Sequence, residues 1–209
     1  KSDGKRGHAP YAEVNTDVDH LVKEAHKQYP GLPVFLYGHS LGGALVLNAI
    51  MLQNQRDIAG AIVTSPGLAP AKEVGAVKFF AARVLSALAP SVTMANDLDL
   101  NGLSHDPAVK AAYTSDPLVH GMISTRTAMD LINNGKLMQA YDRPFPVPLL
   151  IMQGAKDSLV NPKINEEFMR KLTGPVTTKV FPNFFHEMHN EPEKELVFKV
   201  MLDWLDQQK

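Results

Sequence analysis

The sequence predicts an α/β protein: a parallel sheet flanked by helices and interrupted by a helical insertion. Three observations carry this. Short apolar or β-branched runs at 33–38, 58–65, 147–154 and 177–182 have the length of buried strands. Helical spacing fills most of the intervals, which is the pattern of parallel strands joined by crossover helices. From 68 to 146 that alternation stops, and only helical patterns remain.

The elements follow in order. Residues 1–10 are polar and turn-rich. From Glu13 to Tyr29, Val14, Val18, Leu21, Val22 and Ala25 recur at helical spacing, and Pro30-Gly31 ends the helix. PVFLYG (33–38) is the first strand. Leu41 to Gln53 is a helix with Leu45, Leu47, Ala49 and Leu52 available for packing. IAGAIVTS (58–65) is the second strand, closed by Pro66-Gly67. In the insertion, Val77, Phe80, Ala81, Val84, Leu85 and Leu88 form a wide apolar helix face. Ser104 to Tyr113 reads as a short helix capped by Ser104, and Ile123 to Tyr141 as another. After RPFPVP (143–148) come the strand VPLLIMQG, a helix from Pro162 to Leu172, the strand TTKVFP and a helix from Glu193 to Gln208. The core is therefore expected at 1–67 and 147–209, and the cap at 68–146.

Composition narrows the function. The chain has 209 residues, a net charge of -1 and 44% hydrophobic residues, as expected of one globular domain with a real core. Its charges are scattered, so nothing favours nucleic acid as a partner. It has no cysteine, which excludes disulfides, thiolate-bound zinc and thiol catalysis. No apolar run is long enough to span a membrane, and the chain opens at Lys1 with no visible signal peptide.

The informative stretch is FLYGHSLGG (35–43). Gly38-His39-Ser40-Leu41-Gly42 places one serine between two glycines, with a buried strand before it and an apolar helix after it. A sharp strand-to-helix turn crowds its neighbours, and the glycines Gly38 and Gly42 relieve the clash. The hydroxyl of Ser40 is then presented above the carboxyl edge of the sheet. The backbone N–H of Leu41, at the helix N-terminus, suits a developing oxyanion. No lysine follows the glycines, so a phosphate loop is disfavoured.

A serine needs a base. Asp157, in GAKDSLV, and His186, in FFHEMHNE, each follow a predicted strand, where catalytic groups gather in such sheets. His186 is expected to be the general base and Asp157 its orienting acid. His189 is the second candidate for the base, because it lies farther from the strand end. HEMHN fails the zinc pattern, since Asn190 stands where the second histidine is required. No metal or cofactor is expected. His39 reads as structural or pocket-shaping, and His105 as a surface or cap residue. Asp116, in TSDPL, reads as a turn residue, and Glu187 and Glu191 as anchors of the histidine loop or as solvated groups.

Taken together, GHSLGG, GAKDSLV, HEMHNE and the cap segment SHDPAVKAAYTSDPLVHG resemble the monoacylglycerol lipase and lysophospholipase branch of the α/β-hydrolases. The opening GKRGHAPYAEVNTDVDHLV is similar to the family segment before the nucleophile strand, so the resemblance spans essentially the whole chain. It implies a serine hydrolase acting on fatty-acyl esters such as monoacylglycerols or lysophospholipids. It also implies a lid over the site, whose apolar face suits an acyl tunnel or contact with a membrane, and a cytoplasmic or membrane-associated location. An esterase, thioesterase or peptidase of the same fold is the alternative reading, as is an inactive piece that acts by association.

One departure matters. The family carries about half of its sheet, and a loop giving a second oxyanion N–H, ahead of the residues seen here. The expectation is therefore a C-terminal part of the fold. It would meet a complementary N-terminal polypeptide, or a second copy, along the open edge of its first strand.

Overall fold

The computed structural model describes residues 4–208; the start of the polar opening, 1–3, and the last residue lie outside them. Four parallel strands form the main sheet: β1 (Phe35–His39), β2 (Gly60–Thr64), β5 (Leu149–Gly154) and β6 (Val176–Phe181), in that spatial order. All four coincide with the predicted runs to within a few residues. The α/β class and the parallel sheet are as the sequence predicts.

Central position explains the composition of the middle strands. Every residue of β2 and β5 is buried, so both read as apolar runs without alternation. Their side chains still alternate between two cores. Ala61, Val63, Leu149 and Ile151 face one core with Leu47, Ile50, Phe168 and Met169. Ile62, Leu150 and Met152 face the other with Phe181, Val197 and Trp204.

Helices cover both faces. α1 (Tyr11–Gln28) follows Pro10, carries Glu13 in its first turn and His26 and Lys27 in its last, and so complements its own dipole. Gly31, at φ 83°, turns the chain from the end of this helix toward β1. α2 (Leu41–Met51) is buried along most of its length. α6 (Pro162–Lys171) starts on an Asn161 side chain that accepts from Ile164 N–H, with proline at its first turn. α7 (Glu195–Asp206) buries Val197 and Trp204, whose indole meets the Phe35 ring edge-on at 6.0 Å.

The insertion contains α3 (Ala76–Leu88), α4 (Pro107–Ser115) and α5 (Thr125–Gln139). It also holds a pair of three-residue antiparallel strands that the sequence reading missed, β3 (Thr93–Ala95) and β4 (Met122–Ser124). Strands this short have no periodicity to detect. The cap of α4 also differs from expectation. Its N-cap is Asp106, which accepts from Ala108 N–H, while the Ser104 hydroxyl donates to the Asn190 carbonyl. Asp116 ends α4 and accepts from Leu118 N–H at 2.7 Å, a turn role. α5 packs on α2, and Met138 lies in the same core as Leu47. In α3 only Ala82 is buried, and Val77, Phe80 and Leu88 are exposed.

β1 has β2 as its partner and ends the sheet; Tyr37 on it is half exposed. Where β1 meets α2, the backbones touch. A Cβ on Gly38 would collide with the Gly42 carbonyl and lie 2.8 Å from Val46 Cγ2, whereas one on Gly42 would meet nothing within 4 Å, so of the two expected glycines it is Gly38 that relieves the clash. Gly38→Ala should therefore destabilise the fold by about 1–3 kcal/mol through overpacking, read as a lower urea midpoint at unchanged m-value. An unchanged midpoint would show that the turn can relax.

Candidate active site

Ser40 sits between β1 and α2 at φ 54° and ψ -119°, a conformation that costs an ordinary residue. The surroundings hold it there. Its N–H donates to the Thr64 carbonyl at 3.0 Å, and its own carbonyl accepts from Ala44 N–H and Gly67 N–H. Leu41, next in line, is the first residue of α2. Its N–H therefore belongs to the helix end, where no carbonyl four residues back is available.

Asp157 follows β5 and is buried. Its Oδ1 accepts from the backbone N–H groups of Leu159 and Val160, at 2.8 and 3.0 Å. Its Oδ2 accepts from Gln153 Nε2 and lies 2.7 Å from His186 Nδ1. The carboxylate thus has four donors in a site that excludes water, which is what a buried charge requires. Gln153 is oriented in turn by Asn165, whose Nδ2 donates to Gln153 Oε1 and to the Pro66 carbonyl.

His186 follows β6 and is buried. With Nδ1 at the carboxylate, the tautomer carrying its proton on Nδ1 suits the contact and would leave Nε2 without one. The link to the serine turn runs through β2. Thr64 accepts from Ser40 N–H; the next residue, Ser65, donates its hydroxyl to the His186 carbonyl at 2.9 Å. The three sequence-predicted residues, Ser40, Asp157 and His186, therefore stand at one edge of the sheet, with Asp157 and His186 in direct contact.

His189 is not bonded to Asp157. Its ring meets His39 edge-on at 4.8 Å, and His39 lies 4.7 Å from His186. His39 Nδ1 shares a hydrogen bond with the Thr64 hydroxyl at 3.0 Å, and Tyr37 reaches the same hydroxyl. Burial, and then the neighbouring His186 and His189, push the His39 pKa down to about 3. Burial likewise lowers that of His189. The sequence could not show this trio, because His39 ends β1 while His186 and His189 lie in the loop after β6, far along the chain. Glu191 is buried, and His105, exposed at the surface as expected, binds it. Among the described residues, no group of three or more His, Asp or Glu side chains is placed to hold a metal ion.

A parallel sheet with a serine in a strained strand-to-helix turn, and a buried Asp–His pair after its last two strands, defines an α/β-hydrolase. A family model described as "Serine aminopeptidase, S33" matches residues 1–193. The chain is 34% identical over 209 residues to a monoacylglycerol lipase of Mycolicibacterium smegmatis, covering 98% of this chain and 74% of that one. It is also 34% identical over 207 residues to an abhydrolase domain-containing protein of Dictyostelium discoideum, where it spans only 22% of the relative's length. The solved structure of a Paleococcus ferrophilus monoacylglycerol lipase superposes with a TM-score of 0.91 at 29% identity, covering 100% of this chain and 80% of that one. The chain belongs to the α/β-hydrolases of the monoacylglycerol lipase type, a family of carboxylic ester hydrolases.

The low His39 value has a consequence for stability. The unfolded chain takes up this proton near pH 6.5, whereas the folded chain resists it down to about 3. Acid therefore favours the unfolded state: the stability is whole above about pH 6.5 and is lost progressively as pH falls toward 3. His39→Asn should flatten that decline in denaturation curves taken between about pH 7 and about pH 4. Equal slopes for the two proteins would rule out a buried neutral His39.

Proposed function

We propose that this chain cleaves fatty-acyl carboxylic esters, such as monoacylglycerols or lysophospholipids, through an acyl-enzyme on Ser40. The observation that carries the reading is the buried 2.7 Å contact between His186 Nδ1 and Asp157 Oδ2, at the same end of the sheet as a serine held at φ 54°. In this reading His186 Nε2 takes the Ser40 proton as Oγ bonds to the ester carbonyl carbon. The Leu41 N–H supports the resulting oxyanion. Collapse expels the alcohol, which leaves with the proton from His186. Water, deprotonated by the same nitrogen, then releases the fatty acid and restores Ser40. Asp157 holds the imidazole in the required tautomer throughout.

The fatty-acyl preference is supported by the exposed Val77, Phe80 and Leu88 on α3, an apolar face next to an ester-hydrolase core. The same face suits peripheral contact with a lipid surface. Among the described residues, no helix is long and apolar enough to cross a membrane. The open edge of β1, with exposed Tyr37, suits a further strand from a complementary polypeptide or a second copy. The matched family description names an aminopeptidase, which makes peptide amides the second substrate class to test.

A fluorophosphonate probe should label the chain, and Ser40→Ala should abolish the adduct by intact mass. Asp157→Asn should lower kcat by about 10⁴-fold. Among p-nitrophenyl esters, kcat/KM should rise with chain length. A preference for acetate, or faster cleavage of aminoacyl amides, would replace the lipid reading with a small-ester or peptidase one.

A further inference from the structure

The mechanism makes no use of one buried carboxylate. The Glu191 side chain has no exposed area. Its Oε1 accepts from Phe185 N–H at 2.6 Å, immediately before His186. Its Oε2 accepts from His105 N–H at 3.0 Å and from the Ser104 hydroxyl at 3.3 Å. His105 Nδ1 lies 3.0 Å from both oxygens, and its ring stacks on Phe185 at 3.7 Å. One charge therefore takes donors from two segments some 80 residues apart, the insertion and the histidine loop.

The segment around it is a wedge. His186 N–H donates to the Gly102 carbonyl and Glu187 N–H to the Leu103 carbonyl, while Ser104 reaches the Asn190 carbonyl. On its other side, a Cβ on Gly102 would strike the Ser158 side chain and lie 2.9 Å from Leu159 Cδ1. Residues 102–105 are thus pinned between the Asp157 loop and the His186 loop.

We propose that Glu191 is a positioning residue for His186: it seats the 102–105 segment of the insertion so that the histidine loop holds its ring against Asp157. The carboxylate does not touch the reacting atoms. A glutamine would offer an NH₂ to one set of donors, leaving either the Phe185 or the His105 side unsatisfied. The inference rests on the proposed hydrolase reading.

The test compares the full chain with Glu191→Gln, His105→Ala and the double variant, at a temperature where circular dichroism shows all of them folded. Expected for Glu191→Gln is a fall in kcat of about 10–10²-fold with KM held, as for a misplaced catalytic group. The downfield proton resonance of the His186 Nδ1–H bonded to Asp157 should shift or vanish. His105→Ala, which trims only the insertion side, should show the same split at smaller size. The double variant should be no worse than Glu191→Gln alone, because the two changes break one contact. A lower Tm with kcat and the resonance unchanged would overturn the proposal and leave Glu191 a plain stabiliser. An unaffected His105→Ala would overturn the part played by the insertion. If the wild type takes no fluorophosphonate on Ser40, the hydrolase reading itself fails. Equal labelling rates in wild type and variants sink only this inference.

Discussion

The Asp157 carboxylate is the constraint around which the site is arranged. A buried negative charge persists only if its lone pairs are met, and Asp157 has four donors from three directions. Two come from the turn after β5, which fixes the chain leaving that strand. One comes from Gln153, which Asn165 of α6 holds in turn. The last is His186, which ties the loop after β6 to the loop after β5. The parallel sheet makes this economical: its strands end on the same side, so loops far apart in sequence meet without a long detour.

The serine turn is the second fixed point, and it stores strain where the carboxylate stores charge. Ser40 at positive φ is unfavourable in isolation. Its N–H and carbonyl are both bonded to neighbouring backbone, and Gly38 lets α2 approach β1 closely enough for those bonds to form. Thr64 serves both sides of the site. Its carbonyl accepts from Ser40 N–H, and its hydroxyl shares a hydrogen bond with the His39 ring, which lies 4.7 Å from that of His186. Position 64 thus orders the serine turn and the histidine cluster from one buried residue at the end of β2.

The insertion is not a detached lid. α5 shares a core with α2, and residues 102–105 are laced to the histidine loop by backbone bonds and by Glu191. α3 and α4 stand proud: α3 buries only Ala82 and carries an apolar outer face, and α4 buries no residue.

The sequence by itself determined the four strands of the main sheet, the serine turn and the order of the Asp and His loops. Each is a local signal: an apolar run, a glycine pair around a serine, a polar residue just past a strand. Ser40, Asp157 and His186 could be picked out as candidates because they occupy such positions. Gln153, Asn165, Thr64 and His105 were not legible as supports of the site, because nothing local marks them; Glu191 read as an anchor of the histidine loop or as a solvated group, and its bond from Phe185 N–H decides between the two. Glu191 carries the same charge as a solvated glutamate, and His105 sits in an ordinary helix approach. The β3–β4 pair was also invisible, since each strand's three residues gain their pairing from a partner nearly thirty residues away. Only the tertiary structure decided which of His186 and His189 faces Asp157. That choice depends on how the loop after β6 is held by the Gly102 and Leu103 carbonyls, through long-range hydrogen bonds that satisfy buried polar groups and leave no trace in spacing or periodicity.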